Sequence, residues 1–179
     1  MPQKLQNMNF IQKKVKLDQV VGEETEQIVV SEVIEIPCEK PPAEQIITVI
    51  IENICAEYDV IRGKVLVDGT ICFKILYVAD MAKHPQTYQQ PVFAFEDCIP
   101  FSAMVEIDCI REGMDAMVNV IVEDVKAHLV GVPDPFEDCE VEDREGTRKI
   151  RLRFVLAVKA KVTKQKQVDV IVDIKGDHC

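Results

Sequence analysis

A strict alternation of apolar and charged residues near the C-terminus is the feature that most constrains the fold of this chain. Between residues 150 and 162 every second residue is apolar. Four of the intervening positions are basic: Arg151, Arg153, Lys159 and Lys161. A period of two is typical of a half-buried β-strand. A second apolar alternation covers residues 168–174, after the polar residues 163–166. We therefore predict an antiparallel hairpin whose inward face contains Ile150, Leu152, Phe154, Leu156 and Val158.

Other segments carry strand patterns with local irregularities. Apolar residues of one parity run from Val65 to Tyr77, and the Asp68-Gly69 pair inside this run predicts a bulge or kink. The apolar parity flips between residues 118–122 and 125–129, which also predicts a bulge. The run 46–55 is largely apolar and rich in β-branched residues, which favours a strand covered on both faces.

These segments predict an all-β fold, because no segment has a clear helical period. We expect nine to ten mainly antiparallel strands in a β-sandwich or a partly closed barrel. Residues 1–14 are expected to form an N-terminal arm, 15–175 a single β domain and 176–179 a C-terminal tail. An arm of this kind can pair with the open sheet edge of a neighbouring subunit.

Composition excludes several classes of function. The chain has 31 acidic and 21 basic residues and a net charge of −10, which argues against nucleic acid as a partner. It lacks an apolar segment long enough for a transmembrane helix, so we expect no membrane association. The first ten residues do not resemble a signal peptide, so we expect synthesis in the cytoplasm without one.

Three segments, in this order, resemble a known family. They are Lys64–Gly69 continuing through Phe73–Tyr77, then Ile99–Phe101 followed by Val105–Ile107, and finally Leu156–Val162. They resemble the SPOCS domain, and the similarity extends over roughly residues 15–174. The resemblance implies a role in the envelope of bacterial endospores, in coat or exosporium morphogenesis. It also implies no enzymatic chemistry and deposition on the spore surface.

The seven cysteines, an odd number, leave at least one thiol that is free or bonded between chains. No Cys-x-x-Cys spacing is present, so we expect no metal site. Cys55 and Cys109 are expected to be small core residues, whereas Cys72 lies on a mixed face and is left undecided. Two cysteines, one in an acidic segment and one at the end of the chain, are our candidates for an intermolecular disulfide: Cys139 and Cys179. Two others are further candidates for disulfide formation: Cys38 and Cys98.

Charge is also segregated along the chain. An acidic segment at residues 134–145 precedes a basic one at 148–166. One interpretation is a solvated loop beside a solvated strand face. The other is a head-to-tail contact between subunits. The residues that would form that contact are acidic Glu137, Asp138 and Glu140 and basic Arg151, Arg153, Lys159 and Lys161.

No nucleophile–base spacing, phosphate-binding loop or metal cluster is present in the sequence. We therefore expect neither catalysis nor a cofactor. The favoured hypothesis is a structural subunit that assembles with itself into a spore-surface layer or filament, through strand edges and intermolecular disulfides. The alternative is a monomeric or dimeric adaptor that docks another spore-coat protein through one sheet face.

Overall fold

The computed structural model describes residues 9–79, 91–131 and 147–175, and these residues form an all-β fold. Six strands are present in this part of the chain: β1 Asn9–Glu35, β2 Ala43–Ile61, β3 Lys64–Ala79, β4 Val92–Glu106, β5 Asp115–Leu129 and β6 Lys149–Lys175. They form two antiparallel three-stranded sheets, β1-β6-β5 (sheet 1) and β2-β3-β4 (sheet 2). The predicted sandwich is confirmed, but the described sheets do not close into a barrel.

The strand count is six rather than nine or ten because single strands run through positions that look like turns. The predicted hairpin at residues 150–174 is wrong, since β6 continues without a turn through residues 163–166. The partner strand β1 supplies pairing residues for all of them, from Val20 opposite Thr163 to Leu17 opposite Lys166. The bulge predicted from the parity flip in β5 is confirmed by a register shift between Val122 and Asp124.

The core lies between the two central strands, β3 and β6. The rings of Phe73 and Phe154 meet there, with centroids 5.5 Å apart. The inward face predicted for residues 150–158 is confirmed, because each of its five apolar residues is 0% exposed. Long alternation and a central position in the sheet together give β6 its buried face.

Strand β2 differs from its prediction. It is an edge strand of sheet 2, and Ile47 and Ile50 are 50% and 45% exposed, so the run is not covered on both faces. Three register shifts along β2 absorb its lack of alternation. By contrast, β3 pairs without interruption at Asp68-Gly69, so the bulge predicted there is wrong.

Strands β1 and β6 extend beyond the rest of sheet 1. Strand β5 begins at Asp115, which lies opposite Thr163. Past this point β1 and β6 continue alone, from Val20 opposite Thr163 to Asn9 opposite Lys175. We call this two-stranded segment, residues 9–20 and 163–175, the terminal ribbon. It contains residues 9–14 of the predicted arm, which pair here with β6 of the same chain.

Candidate interaction surfaces

The outer face of sheet 1 carries a basic patch. Arg151 and Arg153 are exposed on β6, at positions between its buried residues. Lys126 of β5 lies opposite Arg153, and His128 lies opposite Arg151. Arg153 and Lys126 are cations directly opposite each other across two strands, and they repel. Only Asp124, 3.7 Å from Lys126, forms a described ion pair within this patch. The arrangement is suited to an acidic partner.

The other two basic residues of the predicted contact are already engaged within the chain. Glu23 of β1 pairs with Lys159 at 2.5 Å and with Lys161 at 3.8 Å. The hydrogen bond from Lys159 is the main reason why the pKa of Glu23 is lowered. A lowered carboxyl pKa means that this pair stabilises the fold at neutral pH and weakens as the pH falls through the carboxyl range. Of the four predicted basic contact residues, Lys159 and Lys161 are therefore paired within the chain, whereas Arg151 and Arg153 belong to the basic patch.

Several predicted site residues lie outside the described part of the chain. They are the acidic contact residues Glu137, Asp138 and Glu140 and the two candidate disulfide residues Cys139 and Cys179. Their predicted roles stay predictions.

The described cysteines fall into two groups. Cys98 is bonded to Cys72, its direct neighbour across β3 and β4, with the two Cα atoms 4.1 Å apart. Cys38, Cys55 and Cys109 are free and exposed. The expectation that Cys55 and Cys109 are core residues is wrong. Cys55 lies on the outward side of the edge strand β2, and Cys109 lies beyond the end of β4 with φ of 67°.

An ion-pair clamp crosses the outer face of sheet 2 beside this disulfide. Lys74 of β3 lies 2.8 Å from Glu52 of β2 and 2.8 Å from Glu96 of β4. The hydrogen bond to Glu52, followed by the one to Glu96, raises the pKa of Lys74. The same lysine lowers the pKa of Glu96. The clamp and the disulfide together join β2, β3 and β4, which favours a rigid outer face of sheet 2.

A different part of the outer face of sheet 2 carries carboxylates around apolar side chains. Glu57 lies opposite Asp68, and Asp59 lies opposite Leu66, which in turn lies opposite the 44% exposed Met104. Ser102 donates a hydrogen bond to Asp68 at 2.6 Å. We call this surface the acidic face and define it by Glu57, Asp59, Leu66, Asp68, Met104 and Glu106. At its margin, Lys64 forms an ion pair with Glu106 at 3.2 Å. The carboxylates of Glu57 and Asp68, which lie directly opposite each other, repel in the isolated chain.

An open cleft of about 340 Å³ lies between the edges β1 and β4. Its lining includes three carboxylates, Glu24, Glu26 and Glu106. Among the described residues, no group of His, Cys, Asp and Glu side chains could hold a metal ion. In the same part of the chain, no helix is long and apolar enough to cross a membrane.

Sequence reasoning missed three of these features. Lys126 joins the basic patch only through its register with Arg153, and the acidic face depends on residues far apart in sequence. The Cys72–Cys98 pair also arises from strand pairing. The sequence indicates only that these residues lie on the outward faces of their strands. It does not indicate which residue of a neighbouring strand lies beside each of them.

Comparison with known families agrees with the sequence motifs. Residues 42–130 match the family model described as SipL, SPOCS domain. The match spans all of sheet 2 and strand β5, a narrower range than the resemblance at residues 15–174. No curated protein and no solved structure matches the chain. The family resemblance is thereby confirmed, and the chain is a sporulation-related protein that belongs to the SPOCS-domain family.

Proposed function

We propose that this protein is a structural, non-enzymatic subunit that assembles with copies of itself on the spore surface, in the coat or the exosporium. The family assignment supports the link to sporulation. The observation that carries the proposal is the contrast in charge between strand β6 and sheet 2. Strand β6 of sheet 1 has eight basic and two acidic residues, whereas sheet 2 has two basic and eight acidic ones.

The opposite charges of strand β6 and sheet 2 favour contacts between copies. A basic surface on one molecule attracts an acidic surface on the next, and it repels an identical basic surface. The acidic segment at residues 134–145 is a further acidic element that can meet the basic patch. The proposal is tested by sedimentation velocity and electron microscopy of the purified protein, over a range of salt and protein concentrations. Assembly is expected at low salt; a protein that stays monomeric at high concentration and low salt contradicts the proposal.

Reversing the charge of the basic patch is expected to weaken assembly. In Arg151→Glu/Arg153→Glu, the attraction for carboxylates becomes repulsion, and the concentration needed for assembly should rise about tenfold or more. Sedimentation velocity measures this concentration. Lys14→Glu/Lys16→Glu is the matched control, because it changes the net charge equally at exposed positions on the terminal ribbon. Equal effects of both variants would show that only net charge matters, and that the basic patch is not a contact.

Oxidation is expected to link subunits through Cys139 and Cys179. Treatment with diamide should give dimers and higher species on non-reducing gels, and reductant should remove them. Two reactive thiols per chain allow linkage to extend beyond a dimer. The variant Cys139→Ser/Cys179→Ser should therefore lose the dimers and the higher species. The control is Cys38→Ser/Cys109→Ser, which removes two exposed free thiols of the described region. If the linked species persist in Cys139→Ser/Cys179→Ser but disappear in the control, the links form through Cys38 or Cys109, and the prediction is contradicted.

The adaptor remains the second candidate, and one observation favours it. The clamp at Lys74 and the Cys72–Cys98 bond stiffen one sheet face, as a docking platform for a different protein requires. An adaptor would stay monomeric or dimeric in every condition above. It would also keep its function when Cys139 and Cys179 are replaced by serine.

A further inference from the structure

The terminal ribbon presents a face that nothing in the described chain covers. Its two strands pair Leu17 with Lys166, Val15 with Val168 and Lys13 with Val170, so these residues share one side of the ribbon. Lys164 and Lys166 have the same parity along β6 as the buried Val162, which places this side in line with the core side of sheet 1. We call it the docking face and define it by Lys13, Val15, Leu17, Lys164, Lys166, Val168 and Val170.

Exposure shows that the docking face is unpartnered. Leu17 is 50% exposed, Val170 39% and Val15 36%. The core side of sheet 1 is covered by sheet 2 as far as Gly22, where the side chain of Ile107 packs against the glycine. The ribbon begins immediately beyond this contact, so its apolar residues lie past the end of the core. Two-stranded sheets without a covering layer are marginally stable in water.

The chemistry of the docking face identifies its partner. It combines four apolar side chains with three lysines and has no carboxylate. The acidic face of sheet 2 has the complementary composition, with apolar Leu66 and Met104 beside Glu57, Asp59 and Asp68. Its fourth carboxylate, Glu106, is paired with Lys64 of the same chain. An apolar centre against an apolar centre, with cations against carboxylates at the margin, is the arrangement of a specific interface.

We propose that the docking face of one copy binds the acidic face of sheet 2 of a second copy. The inference rests on the proposed function, since it names a contact through which copies of the chain join. The two surfaces are different, so a pair joined by one contact retains an unused docking face and an unused acidic face. Assembly can then continue from copy to copy. This contact is separate from the one between residues 134–145 and the basic patch.

Complementary charge reversals test the contact. Lys164→Glu/Lys166→Glu reverses the docking face, and Glu57→Lys/Asp59→Lys reverses the acidic face. All four residues are exposed, so both variants should fold, which circular dichroism verifies. Each variant alone is expected to assemble at least about tenfold less readily than wild type, because like charges then face each other. An equimolar mixture should regain assembly, since each variant supplies the surface that matches the other.

The outcomes separate this contact from self-assembly in general. Sedimentation velocity at low salt follows wild type, both variants, their mixture and the control Lys14→Glu/Lys16→Glu, which alters the opposite side of the same ribbon. Loss in the single variants, recovery in the mixture and no loss in the control support the inference. If wild type and both variants assemble equally, this contact is overturned while the proposed function stands. If wild type stays monomeric, both are overturned.

Discussion

Phe154→Ala is expected to lower the free energy of unfolding by about 3–5 kcal/mol. The ring is 0% exposed and meets Phe73 of the opposite sheet, so truncation removes buried apolar surface and leaves a cavity between the two central strands. Close-packed strands held by long ladders cannot collapse fully into such a cavity. Urea denaturation followed by circular dichroism measures the change, at a protein concentration where the chain is monomeric.

Val29→Ala is the matched control, because Val29 is 53% exposed on the neighbouring strand β1. Its effect should stay within about 0.5 kcal/mol. A loss below about 1 kcal/mol for Phe154→Ala would contradict the position of Phe154 between the sheets.

Gly69→Ala is expected to destabilise the protein by about 1–3 kcal/mol, although alanine is normally favoured over glycine inside a strand. A Cβ atom at position 69 would lie 2.5 Å from the carbonyl oxygen of Cys55 and 2.5 Å from Cζ of Phe101. The oxygen belongs to the backbone of β2 and the ring is buried, so neither can move freely. Urea denaturation of this variant should therefore show a lower midpoint.

A double-mutant cycle identifies the cause. Phe101→Leu removes the outer ring atoms, so Gly69→Ala should cost less in that background than in wild type. Gly63→Ala serves as the control, because Gly63 has φ of 77° and no atom within 4 Å of its Cβ position. Its cost is one of backbone conformation and should not change with Phe101→Leu. If Gly69→Ala is neutral or stabilising, the close approach of Phe101 is wrong.

The sequence by itself determined the fold class and the buried face of β6. Alternation at residues 150–158 was sufficient for this, since side chains on successive strand residues point to opposite faces whatever the neighbouring strand is. The β5 bulge was also predictable, because one extra residue inverts the parity of every residue after it. The motifs of β3 and β4 were sufficient for the family.

Tertiary structure decided how these strands are joined and which surfaces they leave open. The polar residues 163–166 resemble a turn in sequence, yet β1 pairs with them and β6 continues as one strand. Cys72 meets Cys98, and Lys126 meets Arg153, only because of the register between strands. Strand pairing joins residues that are distant along the chain, and its register depends on which strands become neighbours in a sheet. The periodicity of a single strand determines which face each side chain occupies, but it does not determine which residue lies opposite it on the neighbouring strand. The candidate surfaces therefore depend on the assembled sandwich.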